Sequence, residues 1–237
     1  MRKALFFLVL ALAFVGAGCG GSSSDEATST EATTGASTDT TTAGDATVGA
    51  DGCTDVDVPP AREDGGQTAP TERLDPEKTY DLVFKTNCGS FTVRLDLEKA
   101  PATSASLVSL AKSGFYDDMI FHRIVPGFVI QGGDPTQKGS GGAGYQTVDP
   151  PPSGSTYSEG VVAMAKTGSE PAGTSGSQFF VVSGPNAASL PPDYAIVGTV
   201  TSGMDTVKRI DGFGDPNDPA GAPTRPVVIE SVTVVDQ

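Results

Sequence analysis

Between Tyr80 and Val235 the chain is cut into short runs of β-branched and aromatic residues, bounded by Gly, Pro or polar turns. Helical spacing is confined to two places, and this distribution excludes most folds. YDLVFKTN (80–87) and GSFTVRLDL (89–97), with a Gly at their junction, read as a β-hairpin. Strand-like runs recur at MIFHRIV (119–125), GFVIQGG (127–133), GVVAMAK (160–166), SQFFVVSG (177–184), YAIVGTV (194–200) and PVVIESVTVV (226–235). In APATSASLVSLAKSG (100–114), Pro101 marks a helix start, Leu107, Leu110 and Ala111 share a face, and Gly114 marks the stop. TSGMDTVKRID (201–211) is the other helical segment. Eight strands and two helices without regular alternation predict a mainly β, mostly antiparallel closed sheet and not a doubly wound one.

The N-terminal part has a different character. Arg2 and Lys3 precede an apolar stretch from Ala4 to Val15 and then small residues, the layout of an export signal over residues 1–18. The apolar stretch falls short of the roughly 20 residues a bilayer-spanning helix needs. Cys19, placed at the end of the signal and followed by a polar tract, resembles the modified Cys of a bacterial lipoprotein, although Gly16 stands where such signals usually carry Leu. Two acyl chains on Cys19 would anchor the protein to the cell membrane on its extracytoplasmic side. Residues 19–50, built from Ser, Thr, Gly, Ala and acidic residues, cannot bury enough apolar surface to offset their ordering entropy. They are expected to form a disordered tether reaching roughly 30 Å. Residues 51–78 then form an extension packed on the domain at 79–237.

The net charge of −14, with Lys and Arg scattered, excludes nucleic acid as a partner, because a phosphate-binding surface needs clustered cations. Besides Cys19 there are Cys53 and Cys88, and in an exported protein this pair is expected to bridge. With a single distant His, the two cysteines lack the spacing of a zinc site.

GSGGAG (139–144) satisfies G-x-G-x-x-G, but the YQTVDPPPSG that follows cannot open a helix, so the segment reads as a surface loop. No G-x-S-x-G elbow is present. His122 and Arg123 lie in one strand-like run, where alternation places them on opposite faces and puts Arg123 on the face of Phe121 and Val125. The His, between apolar neighbours, reads as a hydrogen-bonded structural residue.

FHRIVPGFVIQGGD (121–134), GVVAMAKTG (160–168), SGSQFFV (175–181) and YAIVG (194–198) resemble, in order and spacing, the cyclophilin family of peptidyl-prolyl cis-trans isomerases. The resemblance covers Thr79 to Val235. It implies an eight-stranded antiparallel closed barrel capped by two α-helices and an activity on proline-containing segments. With the export signal the expected substrates are exported proteins, and the protein is expected to act as a monomer with no cofactor and no metal. The resemblance implies catalytic roles for Arg123, Phe128 and Gln131. It places Phe128, Val129, Phe180 and Leu190 around the proline ring, the backbone of Ala165 and Lys166 beside the preceding residues, and Gln178 on the polar lining. Val129 replaces a common Met, Lys166 a usual Asn, and Tyr194 a frequent His at the rim. The chain also has no Trp. These departures imply retained isomerase activity with weak cyclosporin sensitivity. The alternative on the same scaffold is a proline-peptide binding or chaperone module with little turnover.

Overall fold

The computed structural model describes residues 48–237. The expected signal at 1–18, Cys19 and the tether as far as residue 47 lie outside the described residues. The predicted hairpin is formed by β1 (Tyr80–Thr86) and β2 (Gly89–Leu95), followed by α1 (Pro101–Lys112). Next come β3 (Met119–Ile120), β4 (Arg123–Val125), β5 (Val129–Gly132) and β6 (Thr147–Val148). The chain ends with β7 (Val161–Met164), β8 (Thr174–Ser175), β9 (Phe179–Val182), β10 (Ile196–Ser202), α2 (Met204–Asp211) and β11 (Val228–Asp236). A 3-10 turn at Pro185–Ser189 and the small β6–β8 pair are additions that the short polar sequences there do not announce.

The main sheet runs β3-β11-β1-β2-β10-β7-β9-β5-β4, with every pairing antiparallel. Its two ends, β3 and β4, are halves of the single run MIFHRIV, so the sheet curls round and meets itself through an interrupted strand. Counted this way it has eight strands, as the sequence predicts. The interruption corrects one expectation. Phe121 is fully buried against Phe91 and Phe179, Ile124 is also interior, and Arg123 turns to the other side. Phe121 and Arg123 therefore do not share a face. Alternation holds only while a strand keeps one partner, and here the Phe121 amide still donates to Val227 O of the β11 side (2.9 Å) before the chain joins β5.

Period-2 burial elsewhere follows the pleat. In β1, Tyr80, Leu82 and Phe84 point inward while Asp81 and Lys85 point outward, and Asp81 pairs with Arg94 across the ladder. Phe84 stacks on Phe91 with ring centroids 4.8 Å apart. The strands β7 and β9 are buried on both faces. Val162, Met164, Phe179 and Val181 enter the barrel interior, whereas Val161, Ala163, Phe180 and Val182 join a second apolar cluster outside it with Val129, Tyr157 and Ile196. The second helix begins later than the sequence predicts, because Thr201 and Ser202 continue β10 and Gly203 makes the turn with φ of 81°. A Cβ at Gly203 would collide with the Ser90 carbonyl, so only glycine fits.

Cys53 and Cys88 are joined sulfur to sulfur, and both are fully buried. The bridge fastens the start of the extension to the β1–β2 turn, where Thr54 N also donates to Asn87 O (2.8 Å). Farther along, residues 59–67 run beside the loop at 135–143. Among the described residues no helix is long and apolar enough to cross a membrane.

Candidate active site

The second apolar cluster forms the floor of a pocket of about 300 Å³. Val129 of β5 and Phe180 of β9, 2% and 5% exposed, form its base, with Phe128, Leu190 and Tyr194 around them. The Tyr194 ring meets Phe180 edge-on at 5.6 Å. Arg123 enters from β4 directly opposite Gln131 of β5, and its guanidinium carbon lies 5.9 Å from the centre of the Phe128 ring. The Arg123 Nη1 to Gln131 Oε1 separation is 3.5 Å. Burial lowers the Arg123 pKa from its usual value, but a guanidinium starts so high that it keeps its charge. Gln131 Nε2 donates to Gln178 Oε1 (3.0 Å), and Gln178 Nε2 donates to the Gly141 carbonyl (2.9 Å). One cationic donor thus faces an apolar cup, steadied by a directed chain of amides.

A polar groove of about 510 Å³ adjoins the pocket and shares Gln131, Ala165 and Lys166 with it. Gln178 lines this groove and not the apolar cup. The GSGGAG segment forms part of the groove wall as irregular chain, with no helix after it. Ala165 N already donates to Gln178 O (2.9 Å), so backbone pairing with a bound peptide falls to the groups beyond that amide.

The model of cyclophilin-type peptidyl-prolyl cis-trans isomerases matches residues 81–234. The chain belongs to this family. A peptidyl-prolyl cis-trans isomerase-like 1 of Aspergillus fumigatus is 42% identical over 134 residues, which span 55% of this chain and 81% of the relative. Peptidyl-prolyl cis-trans isomerase CYP18-2 of Arabidopsis thaliana is 32% identical over 167 residues, covering 66% of this chain and 94% of the relative. The crystal structure of a Cryptosporidium parvum cyclophilin-type isomerase superposes with a TM-score of 0.58 at 30% identity, covering 66% of this chain and 98% of its own. The same parasite protein crystallised in the presence of the dipeptide Ala-Pro gives a TM-score of 0.57, again at 30% identity, over 65% of this chain and 98% of its own.

Two features of this cyclophilin escape the sequence. Tyr157, in an unremarkable SGSTYSEG loop, is fully buried; its hydroxyl donates to Tyr194 O (2.7 Å) and accepts from Tyr194 N (2.9 Å). It fixes the backbone carrying the rim aromatic, and the only available signal was an aromatic residue within a polar loop. Lys166 contributes more than backbone, since its side chain is 2% exposed and its Nζ lies 2.5 Å from Asp193 Oδ2. Nζ also donates to Glu170 O (3.0 Å) and lies 5.6 Å from the Tyr194 ring centre. The lysine therefore ties the loops on either side of the rim together.

His122 differs from expectation, since both its ring nitrogens are buried without a protein partner among the described residues. Burial lowers its pKa, reinforced by Arg123 and opposed by Asp134. The folded state disfavours the charged ring, which takes up its proton at a lower pH than the ring of the unfolded chain does, near 6.5. Its contribution is therefore complete above that pH and is lost as pH falls toward the folded value, at up to about 1.4 kcal/mol per pH unit. Because His122 is the sole histidine, urea midpoints should fall as the pH drops below about 6.5 in the parent, stay level above it, and lose that fall in His122→Gln. Equal slopes in both proteins would show that the ring is not the titrating group.

Proposed function

We propose that this cyclophilin accelerates X-Pro isomerisation during the folding of exported proteins by stabilising a twisted prolyl amide, with no covalent or proton-transfer step. The carrying observation is the Arg123 guanidinium poised over an apolar cup floored by Val129 and Phe180. Rotation about an X-Pro bond crosses about 18–20 kcal/mol because resonance is lost at the midpoint, where the nitrogen recovers its lone pair. Phe128, Val129, Phe180 and Leu190 hold the ring while Arg123 donates to that nitrogen. Gln131 holds a substrate carbonyl, and the chain around Ala165, Lys166 and Gln178 lines the path of the preceding residues. Such a donor acts selectively on the twisted state, which raises turnover without tightening ground-state binding. An acceleration of about 10⁵ needs only about 7 kcal/mol, within reach of one charge-assisted donor plus positioning.

Its place of action in this reading is the outer face of the cell membrane, where the domain at 79–237 hangs as a monomer from lipidated Cys19 through residues 19–50. The buried Cys53–Cys88 bridge supports that location, being a bond that persists in oxidising compartments. The mass of the mature N-terminus tests it, since an unmodified Cys19 removes the anchor. Catalysis is tested by following cis-trans exchange in a short X-Pro peptide. No acceleration by the full chain would sink the enzyme, and binding without acceleration would leave the holding module instead. With Tyr194 at the rim and no Trp in the chain, cyclosporin should inhibit weakly, and nanomolar inhibition would overturn that expectation.

A further inference from the structure

The extension before the family-matched region runs along the wall of the polar groove. Arg62 N donates to Pro135 O (2.8 Å), Gly65 N to Gly142 O (3.0 Å) and Gln67 N to Ala143 O (3.0 Å). In the reverse direction, Gly142 N donates to Asp64 Oδ1 (2.7 Å) and Gln137 Nε2 to Pro59 O (2.8 Å). The fit is close, because a Cβ on Gly144 would stand 2.9 Å from Gly65 Cα. Residues 59–67 thus act as a strap across a glycine-rich loop that has little conformational preference of its own.

What the strap holds has a direction. Between Gly139 and Gly142 lies Gly141, whose carbonyl receives Gln178 Nε2. A carbonyl can only accept, so Gln178 must turn its NH₂ toward the loop and its oxygen toward Gln131. Gln131 must then donate to Gln178, which leaves Gln131 Oε1 facing the Arg123 guanidinium. If Gly141 O withdraws, only the long Arg123 to Gln131 contact of 3.5 Å still favours this polarity, and a flipped pair, in which Gln131 presents a donor to a donor, gains population. We infer that Asp64 is a positioning residue of the isomerase, the strap contact that sets the amide polarity orienting Arg123. This rests on the isomerase reading. The competing anchor is Asp134, whose carboxylate holds the loop amides of Thr136, Lys138 and Gly139 from inside, at 2.7, 3.1 and 2.5 Å, and so reaches the glycine segment itself.

The test uses the full chain with Asp64→Ala, Asp64→Asn, Gln178→Ala and the Asp64→Ala/Gln178→Ala double variant. Asp64→Ala should lower kcat about tenfold with KM nearly unchanged, less than the roughly 100-fold cost of a full ångström of misplacement. Asp64→Asn keeps an acceptor for Gly142 N and should restore most of the rate. In the Gln178→Ala background, Asp64→Ala should add nothing, because both changes break the same chain. NMR of the Gln131 and Gln178 side-chain amides supplies a readout independent of activity. Their resolved NH₂ signals should shift or broaden in Asp64→Ala and recover in Asp64→Asn. Unchanged amide signals and kcat in Asp64→Ala, or additive losses with Gln178→Ala, would overturn the proposal and assign the loop to Asp134. A parent chain without isomerase activity would sink the catalytic reading, and the amide signals would still decide whether the strap fixes the chain's polarity.

Discussion

Replacing Arg123 with Ala should cut kcat/KM for X-Pro exchange by roughly 100- to 1,000-fold, the usual cost of losing one oriented donor to a developing charge. The loss should fall on kcat more than on KM, because the guanidinium contacts what exists only in the twisted amide. The apolar cup should persist, since Val129 and Phe180 pack within the second cluster, to which Arg123 does not belong. Peptide binding should therefore survive. Arg123→Lys should recover little, because a single ammonium on a flexible stem replaces a planar fork held between the Phe128 ring and Gln131 Oε1. Equal acceleration by the parent and the Ala variant would remove Arg123 from the mechanism. A rate profile that is flat from pH 6 to 8 should accompany the parent activity, because no titrating group passes a proton.

Reducing the Cys53–Cys88 bridge should destabilise the folded chain by roughly 4 kcal/mol, the loop-closure contribution expected for a crosslink of this span. The two residues are 35 apart in sequence and both fully buried, so the freed thiols gain no solvent to compensate. The strap follows the bridge in sequence, and the Thr54 contact with Asn87 beside the bridge loosens with it. In urea the midpoint should drop by roughly 1–2 M. Midpoints with and without reductant, each paired with a thiol count, check this. Coincident curves for bridged and free thiols would show that the crosslink contributes nothing.

The hairpin, both helices and the eight-strand count were readable because alternation and punctuation are local properties. YDLVFKT buries alternate residues whatever it packs against. The break at Phe121–His122 was not readable, because it depends on the strand exchanging β11 for β5, a fact about distant chain. The pocket residues were readable only as a set. Phe180 alone is an apolar strand residue, and its outward direction depends on the cluster formed by Tyr157, Val161 and Ile196. Gln178 lines the polar groove, but nothing in SGSQFFV states that its amide reaches Gly141. Tyr157, the buried Lys166 ammonium and the strap contacts of Asp64 were hidden for the same reason. Each is a polar group in an irregular segment, and its partner is chosen by the completed fold.

The two-faced strands β7 and β9 have a consequence for how such a domain can change. Neighbouring residues of one strand answer to different demands, Phe179 to the interior and Phe180 to the pocket. Substitution at 180, or at 161, 163 and 182 in the cluster that supports it, can therefore reshape the pocket while the interior set is left as it stands. A change of length is another matter. One residue inserted into Phe179–Val182 turns every strand residue beyond it to the opposite face, so that stability and recognition are lost together. These strands accept variation by replacement and forbid it by insertion, which confines innovation in length to the loops around them.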